Sequence, residues 1–143
     1  MSSISLRERI ESAVAEHAAG SSPGDSRAAV EDLLSALEAG EVRAAERNAA
    51  GEWEAVSWVK GGILLGFQIG TLSDMSPIRL AGNSTAEPAA FSFFDKDTYP
   101  LRSFSLEHGV RIVPGGSSIR RGAFVAKGVV CMPPMYINVG AHI

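Results

Sequence analysis

The sequence is poor in the residues that usually announce a chemistry. Among 143 residues there is one cysteine, Cys131, and there are three histidines, while aromatic residues make up 7%. A lone cysteine excludes an intramolecular disulfide and any cysteine-rich metal site. His17, His108 and His142 are scattered along the chain, with no H-x-x-x-H spacing that would suggest a bound metal. Gly61, Gly62 and Gly66 form neither a G-x-G-x-x-G word nor a P-loop. Positive charge is not in excess: 13 Lys and Arg against 16 Asp and Glu leave a formal charge of −3. That balance gives no general attraction to nucleic acid or anionic membranes. The longest apolar stretch, Gly61 to Phe67, is far shorter than the roughly 20 residues of a membrane-spanning helix. The opening MSSISLRERI lacks the apolar core of a signal peptide. The expected compartment is the cytoplasm, with neither membrane nor nucleic acid as a partner.

What is present is a period. Val113, Ile119, Val125, Cys131, Ile137 and Ile143 fall at an unbroken six-residue interval, and Gly116, Gly122, Gly128, Pro134 and Gly140 follow in the same register. A helix repeats at 3.6 and a strand at 2, so neither produces this interval. A hexapeptide repeat does, placing one small aliphatic residue inward on each face of a parallel β-helix. At about three hexapeptides per turn, residues 113–143 amount to fewer than two coils, so the repeat is expected to break off within an element.

Upstream the pattern is helical. Ser5 and Glu8 have capping-box spacing, and Leu6, Ile10, Val14 and His17 follow near helical spacing, which predicts a helix over about 5–19. AAGSSPGDS interrupts it, with Asp25 or Ser26 able to cap a second helix. Ala29, Val30, Leu33, Leu34 and Leu37 share one face of that helix, and Gly40 stops it. Residues 41–56 read as a short hairpin turning at Asn48 to Gly51. Periodicity leaves SWVKGGILLGFQI open between buried helix and strand. Residues 70–92, with Gly70, Pro77, Gly82 and Pro88, read as a long connector. The expected class is α+β, with an amino-terminal domain and connector over 1–92 and the start of a β-helix over 93–143.

Among candidate site residues the basic group Arg111, Arg120, Arg121 and Lys127 stands out. An arginine on the edge of such a coil offers a planar fork for a carboxylate, and a nearby lysine offers a point charge. The competing structural reading is that outward positions are simply solvated. Cys131 occupies an inward rung and reads as a core thiol. His17 reads as a helix-surface residue, and Trp53 and Trp58 as packing residues of the small domain.

Several words then occur in order: Gly51-Glu52-Trp53, Trp58-Val59-Lys60, Leu64-Leu65-Gly66-Phe67, Phe94-Asp95-Lys96 and Gly109-Val110-Arg111-Ile112-Val113-Pro114, followed by IRRGAFVAKGVVCMPPMYINVGA from Ile119 to Ala141. Together they resemble the amino-terminal half of the tetrahydrodipicolinate N-succinyltransferases, over essentially residues 4–143. The resemblance implies a left-handed β-helix and a homotrimeric acyltransferase of diaminopimelate and lysine biosynthesis. Its substrates would be succinyl-CoA, as co-substrate, and a small dicarboxylate. It assigns Arg111, the arginine of the G-x-R-x-V-P word, to substrate binding.

In that family an acidic V-D-T-W word, further coils and a CoA-binding surface come after the N-V-G-A word, so no catalytic residue is expected within 1–143. The 143-residue chain is expected to be inactive on its own. Two other readings remain at this stage. One is a non-catalytic module or remnant that associates with a full-length paralogue, and the other is a hexapeptide acyltransferase with a different donor or acceptor.

Overall fold

The computed structural model describes residues 5–21, 24–76 and 93–143. Helix α1 spans Leu6–Ala18 and begins as its sequence dictates: the Ser5 side chain accepts from the Glu8 backbone N–H at 3.3 Å, while the Glu8 carboxylate accepts from the Ser5 N–H at 2.8 Å. These bonds hold the Glu8 carboxyl below its usual pKa. Helix α2 spans Ser26–Ala39 and ends at Gly40, whose φ of 75° is the left-handed conformation that a Cβ would strain. Asp25 stands at the N-cap position without capping through its side chain. Its carboxylate accepts from Arg9 at 3.1 Å instead, tying α2 to α1.

The undecided segment is helix α3, Ser57–Ile69. Glycine spacing explains the outcome. Val59, Gly62 and Gly66 lie on one helical stripe, and a Cβ on Gly62 would stand 2.5 Å from Leu33 Cδ2 and 2.9 Å from Ile10 Cγ2. Bare backbone here lets α3 press against α1 and α2. Ile10, Leu33, Leu37 and Val59 form one buried group, and Val30, Leu34, Leu65 and Tyr99 form a second. Each large aliphatic side chain so buried contributes about 1.5–3 kcal/mol.

Between α2 and α3 lies the expected hairpin, β1 (Ala45–Arg47) antiparallel to β2 (Trp53–Ala55). Asn48 fixes its turn by accepting from the backbone of Ala50 and of Glu52, both at 3.0 Å. Trp58 packs against the helical core, but Trp53 is 60% exposed on the hairpin, which corrects its reading as a packing residue. Its ring meets the Arg47 guanidinium at 5.0 Å, so one face is held by a cation–π contact and not by a core. The connector also differs from expectation at its start, where β3 (Leu72–Asp74) pairs antiparallel with β4 (Phe94–Lys96), a strand just beyond the connector. Residues 77–92, with Pro77, Gly82 and Pro88, lie outside the described residues.

From Arg111 onward four short strands pair in parallel. β5 (Arg111–Ile112) aligns with β7 (Val130–Cys131), and β6 (Ser118–Ile119) with β8 (Tyr136–Ile137). The register is Arg111 to Val130 and Ile119 to Ile137, with a further parallel bridge from Phe124 to His142. Those offsets are 19, 18 and 18 residues, the last two being three of the six-residue intervals of the ladder and the first one residue longer. Ile119, Val125, Cys131 and Ile137 are buried together with Ala123. The outer members of the six-residue ladder differ, Val113 being half-buried and Ile143 48% exposed. Gly116, Gly122, Gly128 and Gly140 all have φ between 78° and 90°, which explains why glycine recurs in that register. Among the described residues no helix is long and apolar enough to cross a membrane.

Candidate functional site

Arg111 stands at the start of β5. Its backbone N–H donates to the Val129 carbonyl at 3.0 Å. Val110 packs toward the buried ladder, so strand alternation sends the Arg111 side chain outward, where it is exposed. Among the described residues nothing accepts a hydrogen bond from it and no carboxylate pairs with it. Lys127 lies on the neighbouring turn, also exposed and also without such a partner. The two are brought together by the backbone, since the Gly128 N–H donates to the Gly109 carbonyl at 2.9 Å.

The other two members of the basic group are drawn elsewhere. Arg121 reaches back to α2, pairing with Glu31, donating to Glu38 at 2.8 Å and to Ser35 Oγ at 3.2 Å. The second lone-pair site of the same Glu38 oxygen accepts the Gly122 N–H at 2.7 Å. Burial works against the charge of Arg121, but its bonds to Glu31 and Glu38 outweigh that and raise its pKa. Arg120 pairs with Asp95 and lies over the rings of Phe67, Tyr99 and Tyr136, with its carbon Cζ 5.3–6.0 Å from their centroids. It forms one wall of a cleft of about 370 Å³ whose other walls include Phe93, Phe94, Leu101 and Ser118. Both arginines thus have their charge matched within the protein and act as fasteners.

The remaining sequence candidates have structural duties. The Cys131 thiol is buried in the ladder. His108 accepts from the Ser105 backbone at 3.0 Å and closes a single 3₁₀ turn, Leu106–His108. His142 stacks on Phe124 with ring centroids 4.1 Å apart, and Arg43 Nη2 approaches its Nε2 at 2.8 Å. Burial first, and then the Arg43 charge, lower the His142 pKa. His17 is half-buried on α1. Two residues that sequence reasoning passed over matter more: Tyr99, fully buried with its hydroxyl donating to the Ile63 carbonyl at 2.6 Å, and Asp95, the partner of Arg120. Burial pushes the Tyr99 phenol well above its usual pKa, so it remains a neutral donor. The only advance signal for Tyr99 is its place beside Pro100. Among the described residues no group of three or more His, Cys, Asp or Glu side chains could hold a metal.

A three-helix domain leading into parallel strand pairs with a basic edge defines an α+β protein whose ligand, if held at that edge, is an anion. Comparison with known proteins makes this particular. Residues 5–69 match the family described as Tetrahydrodipicolinate N-succinyltransferase N-terminal, so this stretch is similar to that family. Three relatives are named 2,3,4,5-tetrahydropyridine-2,6-dicarboxylate N-succinyltransferase. The one from Polynucleobacter asymbioticus is 38% identical over 86% of this chain and 42% of its own length. The one from Methylobacterium sp. (strain 4-46) is 35% identical over 100% of this chain and 49% of its own. For Acinetobacter baylyi the values are 38%, 90% and 44%. The chain therefore spans less than half the length of the relatives it matches.

Proposed function

We propose that this chain is the amino-terminal part of a succinyl-CoA-dependent N-succinyltransferase acting on tetrahydrodipicolinate in the diaminopimelate route to lysine. The observation that carries the reading is identity of 35–38% to enzymes of that name over 86–100% of the chain. Residues 1–92 are the amino-terminal domain with its connector, and residues 93–143 begin a left-handed parallel β-helix. The 18- and 19-residue offsets between stacked strands and the glycines of positive φ support that reading. The working form is a cytoplasmic homotrimer.

In the reaction water adds across the C=N bond of the cyclic acceptor and opens the ring to a ketone and an amine, and that amine attacks the thioester carbonyl of succinyl-CoA. An amide C–N bond forms, the C–S bond breaks, and the amine proton leaves as coenzyme A departs as its thiol. No covalent enzyme intermediate is required, so the protein's work is positioning and charge stabilisation. Within residues 1–143, Arg111 contributes by holding a carboxylate of the acceptor. It is exposed, and among the described residues no anion competes for its guanidinium.

Release of the CoA thiol from succinyl-CoA tests this in a polypeptide where these residues continue into the further coils. Acceptor-dependent release is expected there and none from residues 1–143 alone. Arg111→Ala is expected to raise the KM for the acceptor by about 10–100-fold, the worth of a charge-assisted hydrogen bond, while leaving the KM for succinyl-CoA in place. A second reading, a non-catalytic module bound to a longer paralogue, is favoured by the exposed apolar side chains Ile112, Val130 and Ile143 on the strand stack. Co-purification with such a subunit, without turnover by either form, would select it.

A further inference from the structure

We propose that Lys127 is the second cation of the Arg111 site and that Gly109 is the residue that lets it lie there. This rests on the reading of Arg111 as the carboxylate-holding residue and extends it to a site of two unlike cations for one dicarboxylate.

Charge accounting across the molecule points to this pair. Every other described cation except Lys60 is held by a carboxylate, a backbone carbonyl or His142. Lys60 stands alone on α3, whereas Arg111 and Lys127 are neighbours across one hydrogen-bonded turn. Glu107, in the adjoining 3₁₀ turn, forms an ion pair with neither. Two adjacent like charges repel unless an anion lies between them, and the protein supplies none at this edge among the described residues.

The position of the lysine is built into the backbone. Gly109 has φ of 62°, and a Cβ built on it would stand 2.7 Å from Lys127 Cγ, 3.3 Å from Cδ and 3.1 Å from Cε. The lysine methylenes thus cross directly over the glycine, which seats the stem on apolar backbone and leaves the ammonium free in solvent. Gly109 and Arg111 are two residues apart, so the Gly109 Cα over which the stem crosses is at most about 7 Å from the Arg111 Cα. A planar fork and a rotatable point charge then face one anionic ligand. The first fixes a carboxylate's orientation, and the second follows it with three donors.

Pimelate, a straight-chain seven-carbon dicarboxylate, is the probe, titrated into residues 1–143 and followed by amide NMR shifts. Lys127→Met is expected to weaken pimelate binding about tenfold, and Lys127→Arg to keep it within about threefold of the parent. Gly109→Ala should weaken it like Lys127→Met, with an unchanged circular dichroism spectrum. Lys60→Met is the control for unspecific charge and should leave affinity within about twofold. The proposal is overturned if the parent does not bind pimelate, if Lys127→Met binds it as well as the parent, or if Lys60→Met loses as much as Lys127→Met. In a longer polypeptide with turnover, Lys127→Met should raise the KM for the acceptor alone, and a rise confined to succinyl-CoA also overturns the proposal. Lysine-dependent pimelate binding without succinyl transfer in that longer form sinks the enzymatic reading and leaves the two-cation site standing.

Discussion

The helical region and the strand stack bury their apolar residues in different ways. In the three-helix region Ile10, Leu33, Leu34, Val59 and Leu65 are all at most 1% exposed, and the helices that hold them enclose one another. In the stack, Ile119, Val125, Cys131 and Ile137 are at most 7% exposed, yet Ile112, Val130 and Ile143 of the same region are 37–49% exposed. Helices of this length close a core among three neighbours. A stacked strand is covered only by the strand above and below it, so burial is a property of position in the stack and not of the residue. Cohesion of the first region comes mostly from its own helices, with Tyr99 and Val139 added from beyond them, and that of the second is shared with what it touches.

Substitution tests this contrast most strongly in the helices. Leu33→Ala removes a side chain that is 0% exposed and tightly held by Gly62, and is expected to lower unfolding stability by about 2–5 kcal/mol. Val130→Ala, on the open face of the stack, should change it by less than about 0.5 kcal/mol. Urea unfolding followed by far-ultraviolet circular dichroism measures both. Comparable losses would erase the distinction.

A smaller effect is expected where the two regions meet. Glu38 of α2 binds both the Arg121 side chain and the Gly122 backbone, and Phe124 presses on Gly40, where a Cβ would stand 3.0 Å from its ring. Glu38→Ala leaves a half-buried guanidinium with one carboxylate and a backbone N–H with none, at a cost of about 1–3 kcal/mol. Unfolding should then lose cooperativity, the stack melting before the helices. A single sharp transition, shifted as a whole, would mean that further contacts carry the coupling, such as Val139 against the helical core.

What could be read in advance divides along the same line. The capping box at Ser5, the stripe of α2, Gly40 and the Asn48 turn are local signals, decided within a few residues, and each appears in the structure. The ladder was visible because its period belongs to no other element, and its four central members are buried. Helix α3 was not decidable, because its contact stripe is made by glycines, which carry no hydrophobic signal yet permit the closest approach. Tyr99 reaches Ile63 from 36 residues away, the partners of β3 and β4 are 20–24 positions apart, and Arg121 finds Glu38 at a separation of 83. Such long-range partners decide which basic residues are fasteners and which are free for a ligand. Composition and spacing treat Arg111, Arg120, Arg121 and Lys127 alike.

The mildest expected effect concerns pH and the far edge of the stack. His142 of the Phe124 bridge stacks on that ring and, in its neutral form, accepts from Arg43, the residue leading into the hairpin. Burial and then the Arg43 charge lower its pKa in the folded state below the ordinary value of 6.5. The folded protein therefore takes up this proton less readily than the unfolded chain. The sign follows: the contribution is present above about pH 6.5 and is lost as pH falls through that value toward the lower folded-state pKa. Melting temperature should fall between pH 7.5 and pH 5.5 by more in the parent than in His142→Gln, which keeps an acceptor for Arg43 and cannot be protonated. Since His142 is only partly covered, the difference between the two curves should be a few degrees at most. Identical slopes for parent and variant would show that the edge of the stack is as indifferent to its last bridge as the helices are.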